Sequence, residues 1–117
     1  MAEVISKDLI RGHTDTIILN ILQQGDSYGY QVAKQVKALS DGHYELNEAT
    51  LYTVFRRLKK NGALTDYWGD ESQGSRRKYY HITATGTEML QVNTAAWRVA
   101  KPIIDDLITG KITEEED

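Results

Sequence analysis

Residues 47–64, NEATLYTVFRRLKKNGAL, decide how the rest of the chain is read. Asn47 is a good N-cap, because its side-chain oxygen can accept from a free N–H of the first helical turn, and Gly62, following Asn61, is a good stop. The span between them, 48–60, is expected to be one helix. At 3.6 residues per turn, Leu51, Val54, Phe55 and Leu58 share a side and should face a core. The opposite side carries Ala49, Thr53, Arg56 and Lys60, with Tyr52 on one flank and Thr50 and Arg57 on the other. The exposed face is therefore small and hydroxylic near its start and basic near its end.

Working outward, Ser6 can cap a first helix that runs to about Gln24, where Gly25 ends it. A second helix is expected from Asp26 or Ser27 through about Leu39, offering Tyr30, Val32, Ala33 and Val36 for burial. Downstream, residues 63–68 and 77–82 are rich in aromatic and branched side chains, and Gly69, Asp70, Ser72, Gln73, Gly74 and Ser75 between them spell a turn, so a two-stranded hairpin follows. Thr83 can cap a long last helix to about Thr109, closed by Gly110. On it Met89, Val92, Ala96, Val99, Ile103 and Leu107 form one apolar row and Leu90, Trp97, Ile104 and Ile108 a second, which is more than one domain's core needs. Pro102 within it removes a backbone hydrogen bond and is expected to kink it.

Three helices, a hairpin and a long helix, in that order, make a mainly α (α+β) chain: a winged helix-turn-helix with a two-stranded wing and a C-terminal dimerisation helix. The expected division is residues 1–83 for the DNA-binding domain, 84–109 for the dimerisation helix and 110–117 for an acidic, disordered tail. In such a motif the third helix enters the major groove, roughly 12 Å wide, and its N-terminal residues reach base edges. Asn47, Thr50, Tyr52 and Thr53 would read bases, Arg56, Arg57 and Lys60 would bind phosphates, and the hairpin tip with Gln73, Arg76, Arg77 and Lys78 would lie along the backbone or in the minor groove. The partner is then double-stranded DNA carrying an inverted repeat.

Charge at first opposes this reading, since the net charge is −3. Residues 105–117 hold six acids against Lys111 alone, −5, which leaves +2 for everything before them. Charge runs are commonly just solvated faces, and winged helices also serve as protein-docking modules, so a protein–protein interaction module without DNA binding is the rival expectation. The chain has no cysteine, hence no disulfide or thiolate metal site. His13, His43 and His81 lie in three separate elements without metal spacing, and no phosphate loop, serine elbow or HExxH motif occurs. Neither an enzyme nor a cofactor is expected. Without an apolar run of about 20 residues or a signal-like N-terminus, no membrane partner is expected and the cytoplasm is the anticipated location.

The run quoted above, followed by YWGDESQGSRRKYYHIT (67–83) and preceded by LNILQQGDSYGYQVAKQV (19–36), resembles the PadR family of transcriptional regulators. Leu51 and Tyr52, Arg57 and Leu58, Gly62, the wing's Arg77, Lys78, Tyr79 and Tyr80, and Tyr28, Gly29 and Tyr30 after a glycine turn carry the resemblance, which spans about residues 5–108. The single C-terminal helix is similar to the short branch of that family, and within it to the lactococcal multidrug-binding type. The resemblance implies a repressor acting on its own promoter and a neighbouring transporter or detoxification gene. It further implies a homodimer formed through the first and last helices, enclosing a flat pore for planar aromatic molecules. Trp97 would supply the stacking surface, and Thr16, Asn20, Leu90, Asn93 and Lys101 would line the pore; Lys101 stands where an acidic residue is expected. On spacing alone a lone tryptophan in a helical stripe reads as core.

Overall fold

The computed structural model describes residues 4–69 and 76–113. Gln73 and residues 114–117, half of the acidic tail, lie outside them. The elements in chain order are α1 (Lys7–Ile10), a 3₁₀ turn (Arg11–His13), α2 (Thr14–Gln23), β1 (Ser27–Tyr28), α3 (Gly29–Leu39), α4 (Glu48–Lys60), β2 (Leu64–Trp68), β3 (Lys78–Ile82) and α5 (Ala84–Thr109). This is a mainly helical winged-helix fold with a small antiparallel sheet.

The expected first helix is divided. Ser6 does cap its start, accepting from the Asp8 N–H at 3.2 Å. At Arg11–His13 the helix tightens into a 3₁₀ turn before α2 begins at Thr14. Gly12 lies at this point with open space around it, so the residue that contributes least to helix propensity coincides with the change of pitch. The second helix starts later than expected, at Gly29. Ser27 and Tyr28 are extended instead, pairing with Tyr80 and Tyr79 of β3. The sheet accordingly has three strands in the order β1-β3-β2, where the sequence suggested two. Ser27 is buried in that pairing, and its hydroxyl is satisfied by the Gln31 side chain at 2.6 Å.

The third helix is as expected. Asn47 Oδ1 accepts from the Thr50 N–H at 2.8 Å, and Gly62 takes the left-handed φ of 80° that ends the segment. Leu51, Val54, Phe55 and Leu58 are all buried. They meet Ile18, Leu19 and Leu22 of α2, Val32 and Val36 of α3, and Leu64 and Tyr80 of the sheet in one core. Phe55 stacks on Tyr80, with ring centroids 3.8 Å apart and planes inclined by 15°. Tyr30, expected to be buried, is 69% exposed instead, because two residues along a helix place it nearly opposite the buried Val32.

One hydrogen bond caps α5 and two tie its start to the turn between α4 and β2. Thr83 Oγ1 accepts from the Gly86 N–H at 3.0 Å and donates to the Gly62 carbonyl at 2.6 Å, while the Thr83 N–H reaches the Ala63 carbonyl. Gly86 has to be a glycine, since a Cβ there would lie 2.3 Å from the Ala63 carbonyl oxygen. An alanine's gain in helix propensity, about 1 kcal/mol, cannot offset a backbone clash of that depth. Beyond Leu90, α5 contributes no fully buried residue and continues without interruption through Pro102. A helix of 26 residues is about 39 Å long, which agrees with a molecule measuring 71 × 37 × 21 Å.

Asp26, in the turn before β1, clasps the sheet. Its carboxylate accepts from the Tyr67 hydroxyl at 2.7 Å and from His81 Nδ1 at 2.8 Å. These two hydrogen bonds, Tyr67 foremost, hold the Asp26 carboxyl below its ordinary range against a small opposing effect of burial. A carboxylate depressed in the folded state stabilises above its unfolded pKa, and that contribution disappears as the pH falls through the folded value. Asp26→Ala is therefore expected to lower stability at neutral pH by about 1 kcal/mol or less. The difference from the parent, read from urea midpoints, should vanish only below about pH 4; a difference that persists unchanged in acid would assign the effect to packing.

Candidate nucleic-acid interface

The outward side of α4 is built by its inward side. With Leu51, Val54, Phe55 and Leu58 fixed in the core, Ala49, Thr50, Thr53, Arg56 and Lys60 emerge on the exposed face. Thr53 Oγ1 donates to the Ala49 carbonyl at 2.9 Å, which leaves its methyl and oxygen lone pairs outward. One lone pair of the Asn47 oxygen is engaged by the cap, so its amide NH₂ is the main group left for recognition. Tyr52 is partly exposed, edge-on to Phe55, and its hydroxyl lies where a Cβ of Gly29 would stand, 2.6 Å away. Gly29 thus admits the Tyr52 ring against the first turn of α3.

The wing presents its cations on aromatic rings. Arg76 lies 4.5 Å and Lys78 5.1 Å from the Trp68 ring centre, and Arg77 lies 4.6 Å from that of Tyr28. Tyr28 is in turn edge-on to Tyr79, which stacks on Tyr67. The exposed wing face is a layer of tyrosines and one tryptophan carrying positive charge. Trp68, 53% exposed on the last residue of β2, did not stand out in the sequence, where it read as one more strand aromatic.

Some cations near this face already have carboxylate partners. Asp66 of β2 accepts from Lys59 at 2.9 Å and has Lys78 at 3.7 Å; these partners, Lys59 first, hold its carboxyl below the ordinary range. Arg57 turns away from the outward face and grips Asp15 of α2 with two nitrogens, Nε donating to Oδ2 at 3.3 Å and a terminal nitrogen to Oδ1. The sequence placed Arg57 beside Arg56 as a phosphate ligand. The two neighbours in fact point in different directions, as residues about 100° apart on a helix must.

A second concavity, of about 520 Å³, opens between the N-terminal segment, α2, the end of α3 and α5. Trp97, Thr16, Asn20, Asn93 and the edge of Leu90 all line it. Asn93 Nδ2 donates to Thr16 Oγ1 at 3.0 Å, and His13 stands edge-on to Trp97 at 4.7 Å. Leu90 is otherwise a core residue, and Lys101, one helical turn beyond Trp97, is not among the lining residues. His13 was not foreseen here; the only sequence signal would have been its helical proximity to Thr16 and Asn20. Among the described residues no group of three His, Cys, Asp or Glu side chains is placed to hold a metal ion, and no helix is long and apolar enough to cross a membrane.

Comparison with known proteins gives this geometry a context. Residues 18–92 match the model of the transcriptional regulator PadR-like family. The chain is 39% identical over 107 residues to an uncharacterised protein of Lysinibacillus sphaericus, covering 92% of this chain and 98% of that one. Among solved structures, a transcriptional regulator from Clostridium thermocellum superposes with a TM-score of 0.83 at 42% identity, over 91% of this chain and 100% of that one. A PadR family transcription regulator from Clostridium difficile R20291 does so with a TM-score of 0.73 at 33% identity, over 82% and 98%. The family match spans every buried apolar core residue, from Ile18 to Leu90, and the chain belongs to the PadR-like family of transcriptional regulators.

Proposed function

We propose that this regulator is a sequence-specific repressor that binds an inverted-repeat operator as a homodimer, with α4 in the major groove and the wing against the adjacent backbone. The observation that carries the reading is the sorting of side chains on α4: four apolar residues inward, hydroxyls and exposed cations outward, beside a wing whose cations lie on aromatic rings. Asn47, Thr50, Tyr52 and Thr53 are the proposed base readers. Arg56, Lys60, Arg76, Arg77 and Lys78, with Gln73 of the sequence between β2 and β3, are the proposed backbone contacts. Two subunits would set their recognition helices about 34 Å apart, one turn of DNA.

Support for the dimer comes from α1 and α5. Leu9, Val92, Val99, Ile103, Leu107 and Ile108 are all more than half exposed, with Leu107 at 80% and Ile108 at 75%. Large apolar side chains exposed in this number on a helix mark a protein–protein contact on a chain otherwise free to be polar there. With α5 paired near a two-fold axis, Trp97 of each subunit would stand close to its mate, and the cavity beside it would take a planar aromatic ligand. Such a ligand relieves repression only as far as it favours a subunit spacing that fits DNA poorly. The domain division follows: residues 1–83 bind DNA, 84–109 join the subunits, and the work is done in the cytoplasm.

Three outcomes test this. On a duplex selected from bound fragments of the source genome, Arg56→Ala should flatten the slope of log affinity against log salt by about 0.9, the share of one phosphate. Binding that is insensitive to salt would instead favour a protein-docking module. Leu107→Glu should convert a particle of twice 13.3 kDa to one of 13.3 kDa in sedimentation, and a parent already monomeric would contradict the dimer. Planar aromatic compounds should quench the protein's tryptophan fluorescence in the parent but not in Trp97→Ala, where Trp68 alone emits; equal quenching in both removes the pore.

A further inference from the structure

Arg57 and Asp15 stand 42 residues apart in sequence and join the DNA-facing helix to α2. Both carboxylate oxygens of Asp15 are engaged by the same guanidinium, the two-pronged geometry that fixes direction as well as distance. Each partner is also in the favourable place on its own helix: Asp15 lies in the first turn of α2 and Arg57 in the last turn of α4, so each charge complements its helix dipole. The pair is partly shielded, with the side chains 47% and 30% exposed. Arg56, one residue away, is exposed to solvent on the outward face.

Resting on the DNA-binding reading, we infer that Arg57 is a positioning residue: its clamp on Asp15 sets the angle of α4 against α2 so that the outward face meets the groove, and it gives no charge to a phosphate. A guanidinium that spends two of its donors on one carboxylate would have to break both bonds to reach a phosphate. The phosphate would then gain one cation while the partly shielded Asp15 lost its partner and stood as a bare negative charge near the DNA. The hydrophobic face of α4 fixes its depth and roll in the core, and the two-pronged ion pair, lying off the helix axis, adds a directional hold on the pivot of α4 against α2.

The test is a double-mutant cycle on the full chain with Arg57→Ala, Asp15→Ala and both, measuring affinity for the selected duplex across a salt series, with urea midpoints as a check on folding. Each single variant is expected to weaken binding about two- to fivefold, the range of a partly exposed ion pair. The salt slope should be unchanged, and the double variant should bind no worse than either single one. Arg56→Ala, run alongside, flattens the slope. If Arg57→Ala also flattens it by about 0.9 while Asp15→Ala binds as well as the parent or better, Arg57 is a phosphate ligand and the inference is overturned. Additive losses in the double variant overturn it as well. If the parent and Arg56→Ala show no salt dependence at all, the DNA-binding reading itself has failed, which is a different result.

Discussion

Phe55 stacked on Tyr80 joins the helix that faces outward to the strand that carries the wing. Around that contact Leu51, Val54 and Leu58 are buried against α2, α3 and β2, so α4 has no freedom to roll its apolar side away from the core without exposing several large side chains. Each such side chain is worth roughly 1.5–3 kcal/mol when buried, far more than any surface ion pair contributes. The position of every proposed DNA contact on α4 follows from this, because the outward residues are whatever the inward ones leave over. The wing is placed by the same stack, since β3 carries both Tyr80 and, at its start, Lys78.

An acidic chain can still offer a phosphate-binding face if its charges are segregated. The structure divides the cations into two groups. Lys59 and Lys78 share Asp66, and Arg57 is held by Asp15, so these positive charges are partly neutralised within the protein. Arg56 and Lys60 lie on the outward face, and Arg77 rests on the Tyr28 ring, which orients a guanidinium without cancelling its charge. Thr16, the residue after Asp15, accepts from Asn93 of α5, so α4, α2 and α5 are connected by polar contacts at consecutive positions of one helix.

The elements with strong local signals were legible in the sequence. Asn47 and Gly62 bound α4, Thr83 and Gly110 bound α5, and the apolar spacing between each pair identified the buried face; all four are caps or stops whose chemistry is local. The parts that could not be read depend on partners distant in the chain. Ser27 and Tyr28 look like a helix start until β3, more than 50 residues later, supplies the pairing that makes them a strand. Arg57 looks like a twin of Arg56 until α2 presents Asp15. Asp26, His81 and Tyr67 come from three segments, and nothing in any one of them signals the clasp they make. The cavity residues Thr16, Asn20, Asn93 and Trp97 follow from the family resemblance, whereas His13 does not, because its edge-on contact is with Trp97, far away in the chain on α5.

The claim that the outward side of α4 meets DNA is most directly tested by following backbone amide resonances of the protein as the selected duplex is added. Shifts concentrated at Ala49, Thr50, Thr53, Arg56 and Lys60, with a second group at Arg76–Lys78 of the wing, are the expected result. Shifts confined to α5 and α1, with α4 unperturbed at saturation, would contradict it.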